Sequence, residues 1–354
     1  TIMKPLFMWA GGKTSLINIY ESRGLLPEGF DSYVEPFLGA GAMFVWAHGK
    51  NPDAKFYLND LNQYIMGIYR AIQTDVEKFC QVVGTYEKKY LDLPPPKLKT
   101  KTPANETVWV DHPTGCKSKD LEQQYKEGRT VNWIKLWNEQ PQYQTRRTFY
   151  FSVRQRYQEL ETDRQSTFDA ATLYFLMKTG FNGVWQTKGD TDIFNTPCGL
   201  MRHTDSIYDK ENVMEWHEAL QGVTLLNEDF TETLQYAEDN CFIFMDPPYR
   251  GCFTQYGVDF DDKLQQSVVD YLNEATDIGA YTIMSNRDVD DGFFEKIQGT
   301  NIIETFDVTY TVGRRKKEDD GTYSAKKAKE ILMIGKKETN QYLLDSFQLT
   351  LHLL

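Results

Sequence analysis

The tetrapeptide Asp246-Pro247-Pro248-Tyr249 combines a carboxylate, two prolines and an aromatic ring directly after the apolar run Cys241–Met245. That run predicts a buried strand, and ligands of an open α/β sheet bind at the carboxyl ends of its strands. Proline fixes φ and has no N–H, so the loop is stiff and its carbonyls remain acceptors. The carboxylate and a rigid carbonyl can accept both hydrogens of an exocyclic amine, while the tyrosine offers a stacking face. A simple proline turn is the alternative.

A second chemical feature is the sequence Val-Glu-Pro-Phe-Leu-Gly-Ala-Gly-Ala at residues 34–42, where a predicted strand enters a Gly-x-Gly turn that opens a helix. Such a turn lets the backbone approach a ligand closely, although the third glycine of the dinucleotide fingerprint is missing. Asp60 closes the next predicted strand about 20 residues further on, where an acidic side chain can bind ribose hydroxyls. An N-cap on the following helix is the alternative role for Asp60.

The segment Gly12-Lys13-Thr14 suggests a phosphate-binding P-loop. That pattern requires glycine where this chain has Phe7, and no strand of useful length precedes it, so an NTPase is disfavoured. Trp9 and Lys13 instead provide an aromatic wall and a cation for a ligand carboxylate. A helix start with an exposed lysine is the alternative.

Strands alternate with helices in two separated stretches of the chain, which predicts an α/β domain with a parallel sheet. The region between them starts at Pro94-Pro95-Pro96, is polar and shows weak periodicity to about residue 145. Trp133 and Trp137 lie four residues apart, which predicts one buried helix face. We therefore predict one α/β domain made of residues 1–93 and 222–338, an inserted domain of residues 94–221 and a C-terminal tail of residues 339–354.

The composition excludes several classes of protein. The 354 residues contain no apolar run approaching the roughly 18–20 residues of a membrane span, and the first residues lack the layout of a signal peptide. The five cysteines form no Cys-x-x-Cys pair and the five histidines are scattered, so neither a disulfide framework nor a metal site is expected. These features favour a reducing cytoplasm. The net charge of −12 at first argues against a polyanionic partner.

Positive charge is nevertheless clustered along the chain. Five arginines lie between residues 146 and 164, and on a helix Arg147, Arg154 and Gln158 fall near one face. A second cluster spans residues 314–317 and 326–329, for which we expect contacts with phosphates. The lysine run of residues 97–101 forms a third, for which a solvated loop is the alternative.

Together these motifs resemble the Dam-type (D12 class, α-group) DNA adenine N6-methyltransferases, in which the cofactor turn comes first, a target-recognition insert next and Asp-Pro-Pro-Tyr last. Phe-Asn-Gly-Val-Trp at residues 181–185 and Phe-Asn-Thr-Pro at 194–197 resemble the family's recognition hairpin. Asn-Glu-Asp-Phe at 227–230 resembles the strand end at the cofactor's adenine, and Ser-Asn-Arg-Asp at 285–288 resembles the segment after the fifth strand. The resemblance covers residues 4–93 and 146–336.

The resemblance implies the Rossmann-like sheet of an S-adenosylmethionine-dependent methyltransferase, with an inserted, mostly helical recognition domain that carries a β-hairpin. It implies S-adenosylmethionine as cofactor and double-stranded DNA as partner, with no metal and no membrane, and leaves the oligomeric state open. Asp246 and the Pro247 carbonyl would hold the N6 amine of a flipped adenine, with Pro248 in the same rigid loop and Tyr249 stacking on the base. The implied cofactor-binding residues are Trp9, Ala10, Gly11, Gly12, Lys13, Glu35, Pro36, Phe37, Gly39, Ala40, Gly41, Asp60, Leu61, Asp229 and Phe230.

Three positions depart from the members that methylate GATC. Met8 stands where they have lysine, Gln186 where they have arginine after the hairpin's Asn-Gly pair, and Met201 at about the place of an aromatic residue. Because lysine and arginine contacts to guanine are worth about 1–3 kcal/mol of discrimination each, we predict a target other than simple GATC. Gln186 is suited to an adenine edge. The predicted DNA-binding residues are Asn182, Gly183, Trp185, Gln186, Lys188, Arg146, Arg147, Arg154, Arg314, Arg315, Lys316 and Lys317.

Other functions stay open on the sequence alone. Methylation of the exocyclic amine of cytosine, or of RNA, needs the same two acceptors. A non-catalytic DNA-binding relative is disfavoured by the intact tetrapeptide at residues 246–249 and by the Gly-x-Gly turn. A nicotinamide-dependent oxidoreductase would need the complete glycine fingerprint and gives no role to Asp-Pro-Pro-Tyr.

Overall fold

The computed structural model describes residues 2–9, 12–112, 119–161, 164–199, 206–250, 260–310, 316–317, 323–324 and 326–337. The described residues form two compact units. The first runs to Leu26 and resumes over Leu38–Asp229, and the second combines Pro27–Phe37 with the described chain from Phe230 onward. The domain limits predicted at residues 93, 222 and 338 follow the alternation of strands and helices rather than compactness, and they stay a prediction.

Helices and strands alternate through most of the described chain. The strands are β1 (Ser32–Glu35), β2 (Lys55–Asn59), β3 (Lys97–Lys101), β4 (Thr107–Asp111), β5 (Lys126–Glu127), β6 (Thr130–Val131), β7 (Thr224–Leu226), β8 (Cys241–Met245), β9 (Tyr281–Asp288), β10 (Ile302–Tyr310), β11 (Lys316–Lys317), β12 (Tyr323–Ser324) and β13 (Lys326–Ile334). The α-helices are α1 (Thr14–Ser22), α2 (Ala42–Lys50), α3 (Gln63–Thr74), α4 (Val76–Leu91), α5 (Lys119–Glu122), α6 (Trp133–Glu139), α7 (Arg146–Gln158), α8 (Thr167–Thr179), α9 (Lys210–Ala219), α10 (Asp262–Ile278) and α11 (Phe293–Ile297). Short 3-10 helices cover Pro141–Tyr143, Phe181–Gly183 and Phe230–Tyr236.

The sheet of the second unit has the strand order β10-β13-β9-β8-β1. β1 and β9 both pair in parallel with β8, so Val34 lies opposite Ile243 and Met245 opposite Met284. β13 is antiparallel to β9 and to β10. All residues of β1 and β8 are buried, as expected for strands covered on both faces. β2 and β7 of the first unit are also parallel, and the predicted α/β class with a mostly parallel sheet is confirmed.

The Ser-Asn-Arg-Asp segment of residues 285–288 lies inside β9, although the family resemblance places it after the strand. Pairing continues past Met284, because Ser285 lies opposite Leu332 and Asp288 opposite Lys329 of β13. Ser285 is therefore fully buried at a fixed place in a ladder rather than in a loop.

The first unit is largely helical, and aromatic side chains fill much of its core. The predicted burial of Trp133 and Trp137 is confirmed: Trp133 stacks on Phe151 with ring centroids 4.3 Å apart, and Trp137 packs on Phe149 at 5.3 Å. The region of weak periodicity also forms two antiparallel hairpins, β3–β4 and β5–β6. The lysine run at residues 97–101 is therefore a strand and not a loop, but four of its five residues are exposed, in agreement with the alternative of a solvated segment.

Candidate active site

Both glycines of the Gly-x-Gly turn adopt conformations that side chains disfavour. Gly39 has a φ of 50° and Gly41 a φ of 75°, in the left-handed region. Space is limiting as well, because a Cβ on Gly39 would lie 2.9 Å from the indole of Trp9, and one on Gly41 2.6 Å from that of Trp216. The Gly41 N–H closes the turn by donating to the Leu38 carbonyl at 2.9 Å. The turn can therefore adopt this conformation, with Trp9 and Trp216 packed directly on its backbone, only because both positions are glycine.

Asp60 is buried just beyond β2 and holds the turn through two backbone donors. Its Oδ2 accepts the Gly39 N–H at 2.9 Å, and its Oδ1 accepts the Asn62 N–H at 2.9 Å. The N-cap of α3 is Asn62, whose side chain accepts two backbone N–H groups, so the alternative role of Asp60 as helix cap is wrong.

The ends of β2 and β7 are tied together by asparagine side chains. Asn59 donates to the Glu228 carbonyl at 3.0 Å and accepts the Glu228 N–H at 2.9 Å. Asn227 donates to the Asp60 carbonyl at 2.8 Å and to the Leu61 carbonyl at 3.1 Å. Asp229 and Leu61, both exposed, therefore follow directly on a rigid double strand end.

Lys13 is the N-cap residue of α1 and is only 3% exposed, so the alternative of an exposed lysine is wrong. A positive charge at this buried position suits a ligand carboxylate or another anionic group. The Trp9 ring centroid lies 5.8 Å from that of Phe7, and the Trp9 carbonyl accepts the Gly12 N–H at 3.2 Å. Ala10 and Gly11 lie outside the described residues.

In the second unit, residues of β1 and of the segment that follows it make polar and aromatic contacts. The Tyr33 hydroxyl donates to Glu35 Oε2 at 2.7 Å, and burial together with this carboxylate holds the pKa of Tyr33 well above its usual value. The Phe37 ring lies 5.1 Å from that of Phe230, with an angle of 30° between their planes. Phe230 is in turn supported by Tyr271 at 6.1 Å. Pro36 is buried between Glu35 and Phe37 in sequence, so the strand end is rigid.

The loop that follows β8 carries the Asp-Pro-Pro-Tyr tetrapeptide and is held from several sides. Ser285 of β9 donates to Asp246 Oδ1 at 2.7 Å. Gln265 of α10 donates to the Pro248 carbonyl at 2.8 Å, and its own Oε1 accepts the Asn286 side-chain N–H at 2.8 Å. These contacts fix one carboxylate oxygen and one carbonyl of the loop by side chains that are completely buried.

The aromatic end of the loop has its own anchor. The Tyr249 hydroxyl lies 2.9 Å and 3.1 Å from the two carboxylate oxygens of Glu330, a fully buried residue of β13. Arg250 follows and forms ion pairs with Asp262 and Asp291. The Tyr249 ring is therefore held at its hydroxyl end, and its faces are the part suited to stacking.

Residues 180–199 form a hairpin in the first unit. Its two arms are joined by the bridges Gly180–Cys198 and Thr187–Phe194. In the first arm, Asn182 and Gly183 have left-handed backbone conformations. Asn182, Gln186 and Lys188 are exposed. A Cβ on Gly183 would lie 2.4 Å from the Met8 side chain, so Met8 packs directly on this hairpin.

Comparison with known proteins identifies the family to which this chain belongs. A family model described as D12 class N6 adenine-specific DNA methyltransferase matches residues 9–98 and 117–312. The chain belongs to this family. It is 24% identical over 332 residues to the type II methyltransferase M.MjaIII of Methanocaldococcus jannaschii, covering 91% of this chain and 97% of that protein. It is also 24% identical over 298 residues to a DNA adenine methylase of Vibrio cholerae (80% of this chain, 82% of that protein).

A viral relative extends the comparison. The type II methyltransferase M.CviBI of Paramecium bursaria Chlorella virus NC1A is 24% identical over 258 residues, or 72% of each chain. The predicted membership of the Dam-type family is thereby confirmed, and DNA adenine methylation is the activity that the family supports.

Trp185 was predicted to contact DNA in this family member, but its ring is only 3% exposed. It lies 6.0 Å from Trp9, 6.3 Å from Tyr64 and 5.2 Å from Phe194. The ring is the core of the hairpin, and we do not retain it as a DNA contact. Its neighbour Gln186 points the opposite way, as expected for successive residues of an extended arm.

The arginines of the first positive cluster, which are predicted to bind DNA, largely form contacts within the protein. Arg146 is 5% exposed. Its guanidinium donates at 3.0–3.1 Å to the carbonyls of Tyr90 and Leu91, at the end of α4, and to that of Leu93, just after the helix. Burial leaves it no surface for DNA, and the prediction for Arg146 is corrected. Arg147 pairs with Glu122 at 2.9 Å and lies 4.8 Å from the Phe151 ring centroid.

Little of the second cluster of positive charge lies within the described residues. Arg314 and Arg315 lie outside the described residues. Lys316 and Lys317 form β11, paired with Ser324 and Tyr323 of β12, and their side chains lie outside the description. The expected phosphate contacts of these four residues stay a prediction.

Neither a metal site nor a reactive thiol is found within the described ranges. No group of three or more His, Cys, Asp or Glu residues there could hold a metal ion, and no helix there has the length and apolarity to cross a membrane. Burial raises the pKa of Cys198 to about 12 and that of Cys241 to about 11, so these thiols stay protonated and are poor nucleophiles.

Two loop-holding residues, Gln265 and Glu330, were not singled out from the sequence. Gln265 shares the buried face of α10 with Val268, Val269 and Leu272, and Glu330 is buried inside an apolar strand. The available signal was a polar residue at a position where the pattern calls for an apolar one. Because buried polar groups need hydrogen-bond partners, such a position indicates a specific contact, although the sequence does not name the partner.

Proposed function

We propose that the chain is a site-specific DNA adenine methyltransferase that transfers a methyl group from S-adenosylmethionine to the N6 amine of an adenine flipped out of double-stranded DNA. Family membership supports adenine methylation of DNA. The observation that carries the finer proposal is the loop after β8, which is held at three points. Ser285 donates to the Asp246 carboxylate, Gln265 donates to the Pro248 carbonyl next to the proposed acceptor at Pro247, and Glu330 holds the Tyr249 hydroxyl.

The residues around the glycine turn fit S-adenosylmethionine. The left-handed Gly39 and Gly41 give the tight turn that dinucleotide-type sites use, with the Trp9 indole packed on Gly39, and Asp60 beside Gly39 can accept ribose hydroxyls. The buried Lys13 suits the carboxylate of the methionine part. By resemblance to the family, Asp229 and Phe230 would contact the adenine ring.

The bound cofactor supplies a methyl group on a positively charged sulfur. The residues of the loop supply the acceptor geometry, since an aromatic amine is a poor nucleophile while its lone pair is delocalised into the ring. Asp246 and the Pro247 carbonyl accept its two hydrogens and favour a more tetrahedral nitrogen. Holding this nitrogen in line with the methyl group uses proximity, worth at most about 7–11 kcal/mol. With the cofactor bound, the Asp246 carboxylate would accept the proton that the amine nitrogen gives up when it is methylated.

Stacking on Tyr249 offsets part of the free energy that it costs to flip the adenine out of the duplex. Extruding a base costs a few kcal/mol, and stacking on an aromatic ring returns about 1–3 kcal/mol. The Glu330 carboxylate holds the hydroxyl end of Tyr249, so the ring does not have to be ordered when the base arrives.

The target is proposed to differ from simple GATC. Gln186 is exposed on the hairpin, and Met8, 58% exposed, packs on Gly183 at the position where GATC enzymes carry lysine. An amide in place of arginine favours adenine over guanine as the base that is read. Met201 lies outside the described residues. Of the exposed cations, Lys188 at the hairpin tip is kept as a DNA contact.

The test is methyl transfer from labelled S-adenosylmethionine, combined with methylome mapping in a methylation-free host. We expect N6-methyladenine in one motif, and loss of transfer by about a thousandfold or more in Asp246→Asn, which keeps size but removes the charge. N4-methylcytosine, or methylation of RNA only, would replace the proposal by its alternative. Methylation confined to GATC would refute the proposed target.

A separate binding measurement tests the cofactor site. Gly39→Ala should reduce the affinity for S-adenosylmethionine at least about tenfold, because the left-handed conformation and the Trp9 indole both exclude a methyl group. Calorimetric titration reads this directly, with Gly49→Ala at an open helical position as the matched control. Equal affinities of the two variants would count against the assignment.

A further inference from the structure

The hairpin of residues 180–199 is held along its return arm by one face of α7. Tyr150, Arg154 and Gln158 are spaced four residues apart, so they line a single face of the helix. We infer that these three side chains form a register lock for the hairpin and are positioning residues for target recognition. The inference rests on the proposed function, because it concerns how the hairpin reads DNA.

The lock is a set of donors to three consecutive carbonyls. Tyr150 donates to the Thr196 carbonyl at 2.9 Å. Arg154 donates from Nη1 to the same carbonyl at 2.9 Å and to that of Asn195 at 3.1 Å. Gln158 donates to the Phe194 carbonyl at 2.9 Å and to the Asn195 side chain at 2.8 Å. Each step of one turn along α7 corresponds to one step along the arm.

The hairpin has a short ladder of its own, to which these donors add. Its arms are joined by the bridges Gly180–Cys198 and Thr187–Phe194 and by backbone hydrogen bonds such as that from the Asn195 N–H to the Gln186 carbonyl at 2.7 Å. Phe194 and Thr196 are buried, and a buried carbonyl without a donor costs free energy comparable to a lost hydrogen bond. The donors of α7 satisfy the carbonyls of this arm in its present placement, so they stabilise the register that the hairpin's own hydrogen bonds also favour.

The lock is transmitted to the arm that carries Gln186. The Thr196 hydroxyl donates to the Val184 carbonyl at 2.6 Å and accepts the Gln186 N–H at 3.1 Å. A shift of one residue between the arms would turn the next side chain outward, exchanging the exposed Gln186 with the buried Trp185. The side chain presented for reading is therefore set by contacts with α7.

The same observations separate two roles for Arg154. As a phosphate contact, its charge would face DNA, but both of its short hydrogen bonds go to the hairpin and its guanidinium lies 4.8 Å from the Phe151 ring centroid. Arg156, two residues along, is exposed and faces away from the hairpin contacts. It provides a matched control on the same helix.

The experiment compares Arg154→Met, Gln158→Leu and Tyr150→Phe with Arg156→Met and with the conservative Arg154→Lys. Each is expressed in a methylation-free host, and the ratio of methylation at the cognate motif to that at single-mismatch motifs is mapped. Purified variants are measured for DNA affinity at several salt concentrations, for cofactor affinity and for melting temperature. We expect the ratio to fall about tenfold or more in Arg154→Met and Gln158→Leu, less in Tyr150→Phe, and partial rescue in Arg154→Lys.

The salt dependence distinguishes the lock from a phosphate contact. For the lock, Arg154→Met leaves the slope of log affinity against log salt unchanged, whereas loss of a phosphate contact would reduce it by about one and weaken all sequences alike. An unchanged motif ratio in the variants would overturn the lock alone. If Arg154→Met does not fold, Gln158→Leu and Tyr150→Phe decide the matter by the same ratio. Absence of any methylation by the unmodified chain would instead overturn the proposed function, and the lock with it.

Discussion

The loop after β8 and the hairpin of residues 180–199 are both irregular segments fixed by neighbouring elements, but they are fixed at different atoms. In the loop, two anchors hold side chains and one holds a carbonyl: Ser285 binds the Asp246 carboxylate, Glu330 binds the Tyr249 hydroxyl, and Gln265 binds the backbone. In the hairpin, the anchors from α7 hold backbone carbonyls and leave Gln186 exposed. Anchored side chains cannot be replaced without losing the chemistry, whereas anchored backbone leaves its exposed side chains open to replacement.

Replacing Tyr249 should produce the largest effect on the loop side of this comparison. Tyr249→Ala removes the stacking face, and we expect kcat/KM to fall about a hundredfold or more, as loss of about 3 kcal/mol implies. Tyr249→Phe keeps the ring but loses the hydrogen bond to Glu330, and a fall of about tenfold is expected. Steady-state methyl transfer on a cognate duplex measures both.

A double-mutant cycle shows whether the anchor acts through Tyr249. Glu330→Gln should resemble Tyr249→Phe, and the double variant should be little worse than either single one, because both remove the same contact. Additive losses would mean that Glu330 supports the site by another route. Cofactor affinity, measured alongside, should stay the same in all three variants.

Gln265 tests the loop backbone and should have a smaller effect on rate than Tyr249→Ala. Gln265→Leu leaves the Pro248 carbonyl and the Asn286 amide without their partner, which costs about 1–3 kcal/mol of unfolding free energy. Urea unfolding measures that loss. The neighbouring Gln266→Leu removes only a surface contact with Asp270 and should change stability by less than about 0.5 kcal/mol. Equal losses in the two variants would contradict the special role of Gln265.

Gln186 tests the hairpin side of the comparison. Gln186→Ala should relax one position of the target, with a loss of about 1–3 kcal/mol of discrimination, while stability changes by less than about 0.5 kcal/mol. Methylome mapping and urea unfolding measure the two quantities. Asp190→Ala, exposed at the hairpin tip, should leave the motif unchanged. A large loss of stability in Gln186→Ala would mean that this side chain is an anchor after all.

The smallest expected effect concerns Tyr64, whose hydroxyl donates to Asp192 of the hairpin at 3.0 Å. Burial, with the Asp192 carboxylate as a second cause, raises the pKa of Tyr64 to about 12. Because the folded chain binds this proton more tightly than the unfolded chain, the contribution of the contact is complete below about pH 10 and is lost as pH rises towards 12. Tyr64→Phe should therefore be less stable by about 0.5–1.5 kcal/mol at neutral pH.

The pH dependence of that difference is the decisive measurement. The gap in unfolding free energy between the original chain and Tyr64→Phe should be constant up to about pH 10 and shrink above it. Other buried tyrosines titrate in both proteins and cancel in the difference. A gap that stays constant through that range would show that the pKa of Tyr64 is not raised in the folded chain.

Much of the fold and part of the candidate site follow from the sequence. The apolar run of β8 and the tetrapeptide after it predict a strand end with a stiff loop, and the spacing of Trp133 and Trp137 predicts a buried face. These signals are local, since period and proline geometry act over a few residues. The position of Asp60 two residues before the true helix cap, Asn62, shows that element ends are harder to assign than elements.

The residue roles that could not be predicted from the sequence depend on contacts between distant segments. Arg146 is of a residue type that often binds DNA, but it donates to carbonyls of α4. Trp185 is of a type that often stacks on bases, but it fills the core of the hairpin. Charge and aromaticity describe what a side chain can do, and only the partner decides whether protein or ligand receives it. The same holds for Gln265 and Glu330, whose partners lie 17 and 81 residues away in sequence.

The contacts of Arg146 have one more consequence, for the segment between α4 and α7. Its N–H donates to the Pro94 carbonyl at 3.2 Å, while its guanidinium binds the last carbonyls around α4. The end of α4 and the start of α7 are thereby fastened together, and the residues between them leave and return at one point. The contact between the two helix ends therefore does not depend on the β3–β4 hairpin, which lies on the excursion between them.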